Sequence, residues 1–282
     1  MGRCAAEAME LARLCQEHNV ALYTAYISRA YERTQAVRQL LLNREIVGDQ
    51  ITSVKYRLVG TGGARGLDEN GTLPWRLDAE QSGGGLIMDV GCHVLDRIDY
   101  MCGPLRNVRG AVAENKSNRQ PVEDYVHFEA TIGECDWVTI PSAGAAVSCT
   151  WDFSGTTNEK KEDIDELIIA GSKGSLRMAG MSPAGPIDIL DSKGDIVKTM
   201  DQFSMPEHTA QGLIQAVTND LLMIQGTKKD EQQNTIGVAS CLSQSDNAIR
   251  TQKVLDAVLS SYYGEREIGY WNRPQSWPGR KV

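Results

Sequence analysis

Ser82-Gly83-Gly84-Gly85-Leu86-Ile87-Met88-Asp89-Val90-Gly91-Cys92-His93-Val94-Leu95-Asp96 is the stretch from which the rest of the chain is read. Leu86, Ile87, Val90, Val94, Leu95 and Ile98 recur at helical spacing and supply a broad apolar side, so a helix is expected from about Leu86 onward. On such a helix Asp89 and His93, four apart, fall on one face about one turn from each other. A carboxylate and an imidazole so placed fit two readings, a proton-handling pair or a solvated structural one. Three consecutive glycines just ahead favour the first, because glycine is used where something approaches the main chain closely.

Upstream of the glycines stand Trp75 and Arg76, and further back the chain alternates helix and strand. Cys4 to Gln16 carries Ala5, Ala8, Met9, Leu11, Ala12 and Cys15 at helical spacing, and Val20 to Tyr26 reads as a strand. A second helix is expected over Tyr31 to Asn43, ending near Gly48, and a strand over Gln50 to Val59. Downstream, from Arg106 to about Lys198, short β-rich segments are separated by turn residues. They are Val108–Glu114, Tyr125–Ile132, Trp137–Ile140, Ala145–Phe153, Glu166–Ala170, Ser175–Met178, Ile187–Leu190 and Asp195–Thr199. Consecutive strands with short turns imply a largely antiparallel sheet. Two helices, Glu207 to Ile224 and roughly Thr235 to Ser261, follow, and the Pro- and Trp-rich tail from Trp271 is expected to lie irregularly on the surface.

The bulk numbers bound the function. The 282 residues carry a net charge of −8, and no basic run exceeds Lys160-Lys161 and Lys228-Lys229, which argues against nucleic acid and anionic membrane as partners. The apolar runs fall short of the ~18 residues that cross a bilayer. Seven cysteines, at 4, 15, 92, 102, 135, 149 and 241, include no Cys-x-x-Cys pair, and the four histidines share no metal-ligand spacing. No metal site is expected, and the cysteine usage fits a reducing, cytoplasmic compartment.

Two glycine-rich segments mimic nucleotide loops. Gly60-Thr61-Gly62-Gly63-Ala64-Arg65-Gly66 follows a predicted strand, yet Leu67 to Pro74 continues as loop where a dinucleotide fingerprint must open a helix, so it reads as a flexible loop. Gly171-Ser172-Lys173-Gly174-Ser175 runs into a strand and reads as a hairpin turn.

The Ser82-to-Asp96 block, preceded by Trp75-Arg76, resembles the glucose-fructose oxidoreductase, inositol dehydrogenase and MocA (Gfo/Idh/MocA) family of nicotinamide-dependent oxidoreductases. Tyr26-Ile27-Ser28-Arg29, Gly171 to Leu176 and Ser261-Tyr262-Tyr263-Gly264 extend the likeness over most of the chain. The resemblance implies an α/β architecture, a remnant of a Rossmann domain in residues 1–26 followed by an α+β domain in 27–282, with an open, mostly antiparallel sheet flanked by helices. It implies His93 as the catalytic histidine and Asp89 as the carboxylate that contacts substrate or orients the ring. Trp75 and Arg76 would line a sugar or polyol pocket, Trp75 being equally readable as core. Tyr26 and Arg29 would border the crevice between the domains, or serve structure alone. Asp96 reads as a helix anchor, and His208 as a cap or a distant pocket residue.

The family's cofactor is NAD or NADP, but the glycine fingerprint and the Glu-Lys-Pro motif that would hold it and share its proton work have no counterpart here. The residues that bind cofactor are therefore unknown, and its binding by this chain is doubtful. The chain is expected to be a member that starts after the nucleotide-binding unit. Three readings stay open: an oxidoreductase acting on a sugar, polyol or related hydroxy compound and impaired by the missing half, a non-catalytic binding or dimerisation module derived from one, and an incomplete gene model. The resemblance also implies a homodimer or higher homo-oligomer, formed through one face of the sheet.

Overall fold

The computed structural model describes residues 2–60, 73–138, 140–156, 163–227 and 243–280. Helices α1 (Ala5–Glu17) and α2 (Glu32–Leu42) precede the first strand, β1 (Ile51–Val59). A short helix α3 (Ala79–Ser82), a π-helical turn (Ile87–Gly91) and helix α4 (Cys92–Cys102) come next. Strands β2 (Leu105–Glu114), β3 (Tyr125–Ile132), β4 (Ala146–Asp152), β5 (Ile164–Gly171), β6 (Ser175–Met178), β7 (Ile187–Leu190) and β8 (Ile196–Met200) follow in succession. Helices α5 (Gln211–Thr227) and α6 (Ser245–Tyr263) close the regular structure.

Among the described residues the strands form one eight-stranded sheet in the order β2-β3-β4-β1-β5-β6-β7-β8. Every neighbouring pair is antiparallel except β1 with β4, which run parallel with Tyr56 opposite Cys149. That exception follows from chain order. β1 is made before α4 and is inserted between strands that arise much later, so its pairing with β4 needs a crossover rather than a hairpin. The expected mixed α/β class with a mostly antiparallel sheet is what the structure has.

One sheet face carries Val126, Phe128, Val147, Cys149, Trp151, Val54, Tyr56, Leu167 and Ile169, all buried. α4 contributes Val94, Leu95, Ile98 and Met101 to the same core, and α6 contributes Leu255, Val258 and Leu259. Each such side chain withdrawn from water is worth about 1.5–3 kcal/mol, so the position of α4 is set chiefly by its apolar side. The other face is polar. Across it Arg109, Glu129, Ser148, Lys55, Ile168, Arg177 and Asp188 stand opposite one another in adjacent strands.

Several expectations need correction. Val20 to Tyr26 is extended but joins no strand; its ties include the Tyr23–Gln244 bridge, Thr24 to Ser243 and the Tyr23 hydroxyl to Asp220 at 2.6 Å. Its β-rich composition meets no neighbouring ladder among the described residues. The described residues of Trp137 to Ile140 (137, 138 and 140) are not in a strand either, since the Trp137 indole donates to the Asp99 carbonyl at 3.0 Å and Arg250 lies over its ring, which draws Trp137 onto α4. The tail is less loose than its composition suggests, because Trp271 and Trp277 are both buried and Trp277 stacks edge-on against Tyr263 at 4.7 Å. The glycine loop reading for Gly60 to Gly66 falls, beyond Gly60, outside the described residues, as does the start of the last helix before Ser243.

Gly171-Ser172-Lys173-Gly174 makes the β5–β6 turn, as its composition predicts. Its glycines have a packing reason, since a Cβ on Gly171 would lie 1.9 Å from the Val47 carbonyl oxygen and one on Gly174 2.4 Å from that of Leu190.

Candidate functional site

Asp89 and His93 lie where a π-helical turn passes into α4, not on the uniform α-helix expected from Leu86. A π-turn adds a residue per turn and re-aims the side chains leaving it, a device found often where a helix carries chemistry. Gly91 permits the turn here. A Cβ at that position would stand 2.2 Å from Ile87 Cδ1 and 3.5 Å from Trp151.

His93 is half-buried, with the Tyr26 ring edge-on to it at 5.6 Å and 88°. Burial pulls its pKa below the ordinary histidine value; the Asp89 carboxylate opposes this, and the Arg97 guanidinium one turn further along α4 reinforces it. The imidazole is thereby held neutral near pH 7, the form that can accept a proton. Asp89 is half-exposed and receives Arg76 Nε at 2.8 Å, and the Arg76 guanidinium lies 4.5 Å over the Trp75 ring. Trp75 is 50% exposed and so is not core. The structure thus gathers five of the six residues singled out from the sequence: Tyr26 and Asp89 beside His93, Arg76 on Asp89, and Trp75 on Arg76.

Arg29 belongs elsewhere. It is 5% exposed, and its guanidinium meets Asp96 through Nε at 2.8 Å and Nη2 at 2.7 Å, with Asp99 at 3.2 Å. Asn247 donates to Asp96 at 3.1 Å and Arg250 holds Asp99 through two bonds of 2.8 Å. This network on the inner side of α4 pins α4, α6 and the segment before α2 together, so Arg29 acts as a structural cation and does not line a crevice. Burial pushes Asp96 up to about 6, with Asp99 adding to the rise and Arg29 and Asn247 opposing it. Tyr26, although it touches His93, is 1% exposed and offers the site a wall rather than a free hydroxyl. His208 is a cap, its Nδ1 accepting the Ala210 N–H at 3.3 Å just ahead of α5.

The glycine run proves to face protein. Gly83 has φ +85°, and a Cβ there would strike the Arg3 backbone at 2.7 Å; one on Gly85 would lie 2.4 Å from the Glu123 carbonyl oxygen. The Gly85 N–H donates to both Glu123 carboxylate oxygens, at 2.9 and 3.0 Å. Glu123 was not legible from the sequence: Val122-Glu123-Asp124-Tyr125 leads into β3, and no spacing marks its carboxylate as reaching a glycine run so far upstream.

This contact also bears on the nicotinamide dinucleotide that the resemblance implies. Its pyrophosphate needs free backbone N–H groups at a glycine-opened helix start. Among the described residues the one glycine run that opens a helix already carries the protein's own carboxylate, so that run does not offer a dinucleotide its pyrophosphate site.

Comparison with the curated proteins returns no match. Among solved structures, aldose-aldose oxidoreductase from Caulobacter crescentus, complexed with glycerol, aligns with a TM-score of 0.68 at 18% identity over 92% of this chain and 66% of its own. An inositol dehydrogenase homolog from Azotobacter vinelandii, complexed with NAD+, gives 0.69 at 15% identity over 92% and 67%. The super-repressor mutant of Gal80p from Saccharomyces cerevisiae gives 0.65 at 15% identity over 92% and 67%. The chain therefore spans about two thirds of the length of these structures, and at such identities they share its fold. The sequence model of the GFO/IDH/MocA C-terminal domain matches residues 35–177, half of the chain, and with that match the chain belongs to the Gfo/Idh/MocA family of NAD(P)-dependent oxidoreductase-like proteins.

Proposed function

We propose that this chain is the substrate half of an NAD(P)-dependent oxidoreductase acting on the CH–OH group of a sugar, polyol or related hydroxy compound. In this reading residues 27–282 form the substrate and oligomerisation domain, and 1–26 are the end of a nucleotide-binding one. The observation that carries the reading is the neutral, half-buried His93 beside Asp89, with Arg76 and exposed Trp75 at the mouth. His93 takes the hydroxyl proton of the substrate as its carbon is oxidised. Asp89 orients the ring and, with Arg76, hydrogen-bonds neighbouring hydroxyls, while the Trp75 face stacks on the sugar ring. The hydride would leave for NAD or NADP, which the nucleotide-binding half of such an enzyme would hold.

Joining the chain to the nucleotide-binding half of a relative tests this. The chimera is expected to oxidise a polyol, and His93→Ala is expected to lower its turnover on the order of 10²–10⁴-fold while leaving the thermal midpoint within a few degrees. Equal turnover in the two chimeras removes His93 from the chemistry.

A second reading, a binding or dimerisation module in the cytoplasm, is favoured by the Glu123 carboxylate on Gly85 and the lack of a dinucleotide cradle among the described residues. Turnover by the chimera separates the two. An active chimera supports the enzyme, whereas an inactive chimera made from a chain that dimerises supports the module.

A further inference from the structure

Glu123 stands in the connection between β2 and β3, is 2% exposed, and touches none of the groups assigned to the chemistry. Its carboxylate receives the Gly85 N–H on both oxygens and the Tyr263 hydroxyl of α6 on Oε2. On the other side of Gly84, the Gly83 carbonyl is held by Arg266 Nη2 at 2.9 Å and by the Tyr270 hydroxyl. The two peptide groups that lead into the π-turn are thus fixed from outside, one by its C=O and one by its N–H. The restraint passes on, since the Gly85 carbonyl accepts the Met88 N–H at 3.0 Å and Asp89 follows directly.

A carboxyl group is unusual at such depth without an ion pair, and bonds from the backbone and from a phenol offset part of its cost. Space-filling does not need a carboxylate. Gly85 is shaped to this residue: a Cβ there would come 2.4 Å from the Glu123 carbonyl oxygen and 3.0 Å from Oε1, whereas one on Gly84 would meet Met88 Cγ at 2.8 Å. A π-turn is a rare departure from the α-helix, found frequently at functional sites.

We propose that Glu123 is the positioning residue of the candidate site: by clamping the Gly85 amide it sets the start of the π-turn and thereby the direction in which Asp89 and His93 leave it. The inference rests on the assignment of those two residues as the reacting pair, but its test needs neither cofactor nor substrate.

The test compares the chain with Glu123→Gln, which keeps the shape and one acceptor oxygen, by NMR titration of the His93 ring and amide exchange over residues 85–93. Leu259→Ala, on α6 and fully buried, serves as the control for general destabilisation. Glu123→Gln is expected to move the His93 midpoint by about half a pH unit or more and to speed exchange at 85–93 roughly tenfold, while Leu259→Ala leaves the midpoint in place. An unchanged His93 midpoint and unchanged exchange in Glu123→Gln overturn the proposal, as does an equal midpoint shift in Leu259→Ala. Should Glu123→Gln fail to fold, Tyr263→Phe removes one bond and leaves the carboxylate in place. A smaller displacement of the His93 midpoint then supports the clamp, and none overturns it. A chain that never binds NADH can pass this test and an active chimera can fail it, so the two readings fall separately.

Discussion

His93 and Arg97 share a face of α4, and their relation is a question of charge. Arg97 is 4% exposed, donates from Nη1 to the Gly180 carbonyl at 2.6 Å, and burial together with nearby Arg33 lowers its pKa to about 10. Buried cations in weak dielectric act strongly on a neighbouring ring. Arg97→Met is therefore expected to raise the His93 titration midpoint, measured by NMR; a fall or no change removes Arg97 from the groups that set it. The two aspartates of this region separate in the same way. Asp96, held by Arg29 and Asn247 at zero exposure, is expected to cost about 3–5 kcal/mol when changed to Ala, because buried Arg29 loses both of its bonds to that carboxylate. Asp89→Asn, which loses a half-exposed pair with Arg76, is expected to cost less than about 1 kcal/mol. Urea unfolding of both variants checks the contrast, and equal losses would erase the division between site and scaffold. The sequence showed the Asp89–His93 pairing because helical spacing is local. It did not show that Arg29 is spent on Asp96, since that bond joins segments far apart in the chain.

Elements were legible where a pattern and a partner coincide. β3, β5, β6 and β7 lie within a residue or two of the runs read from alternation and turn residues, and α1 and α2 match their apolar spacing. Val20 to Tyr26 has the composition of a strand but meets no ladder, and the π-turn has no sequence signal because its extra residue depends on packing by Ile87, Trp151 and Glu123. The glycine run was read as a place of close approach, and what approaches it is the protein's own Glu123. Its occupant gives an acid–base prediction. Burial pushes Glu123 up to about 7, against the pull of Tyr263 and the Gly85 amide and of Arg266, which also donates to the Tyr270 hydroxyl. A carboxyl that holds its proton more tightly folded than unfolded contributes stability below the unfolded value, and loses it as pH rises through the folded one. Unfolding free energy is thus expected to fall by on the order of 2–3 kcal/mol from pH 4.5 to above 7 on this account. Asp96 adds a loss of the same sign, and His93, whose pKa is lowered, an opposite change toward acid. The difference curve between the chain and Glu123→Gln isolates the Glu123 part, and a flat difference refutes it.

At the scale of the whole molecule, the polar sheet face is the surface on which the homodimer is proposed to form. Arg109 pairs with Glu129 at 3.1 Å and Arg177 with Asp188 at 2.9 Å, leaving half-buried Ile168 and Ser148 between them. Ile168→Arg is expected to weaken self-association by roughly tenfold or more in sedimentation equilibrium with little change in thermal midpoint. Unaltered association places the contact elsewhere.

The parallel seam between β1 and β4 has a consequence for how such a chain is made. β1 leaves the ribosome with both of its hydrogen-bonding edges bare, and neither is covered until residues 146–171 have been synthesised. During that interval a nine-residue β-forming segment is available to any other nascent strand, while α4, formed in between, has only helices to lean on. Translation speed and holding factors at the exit tunnel should therefore govern the yield of this protein more than the stability of its finished core does.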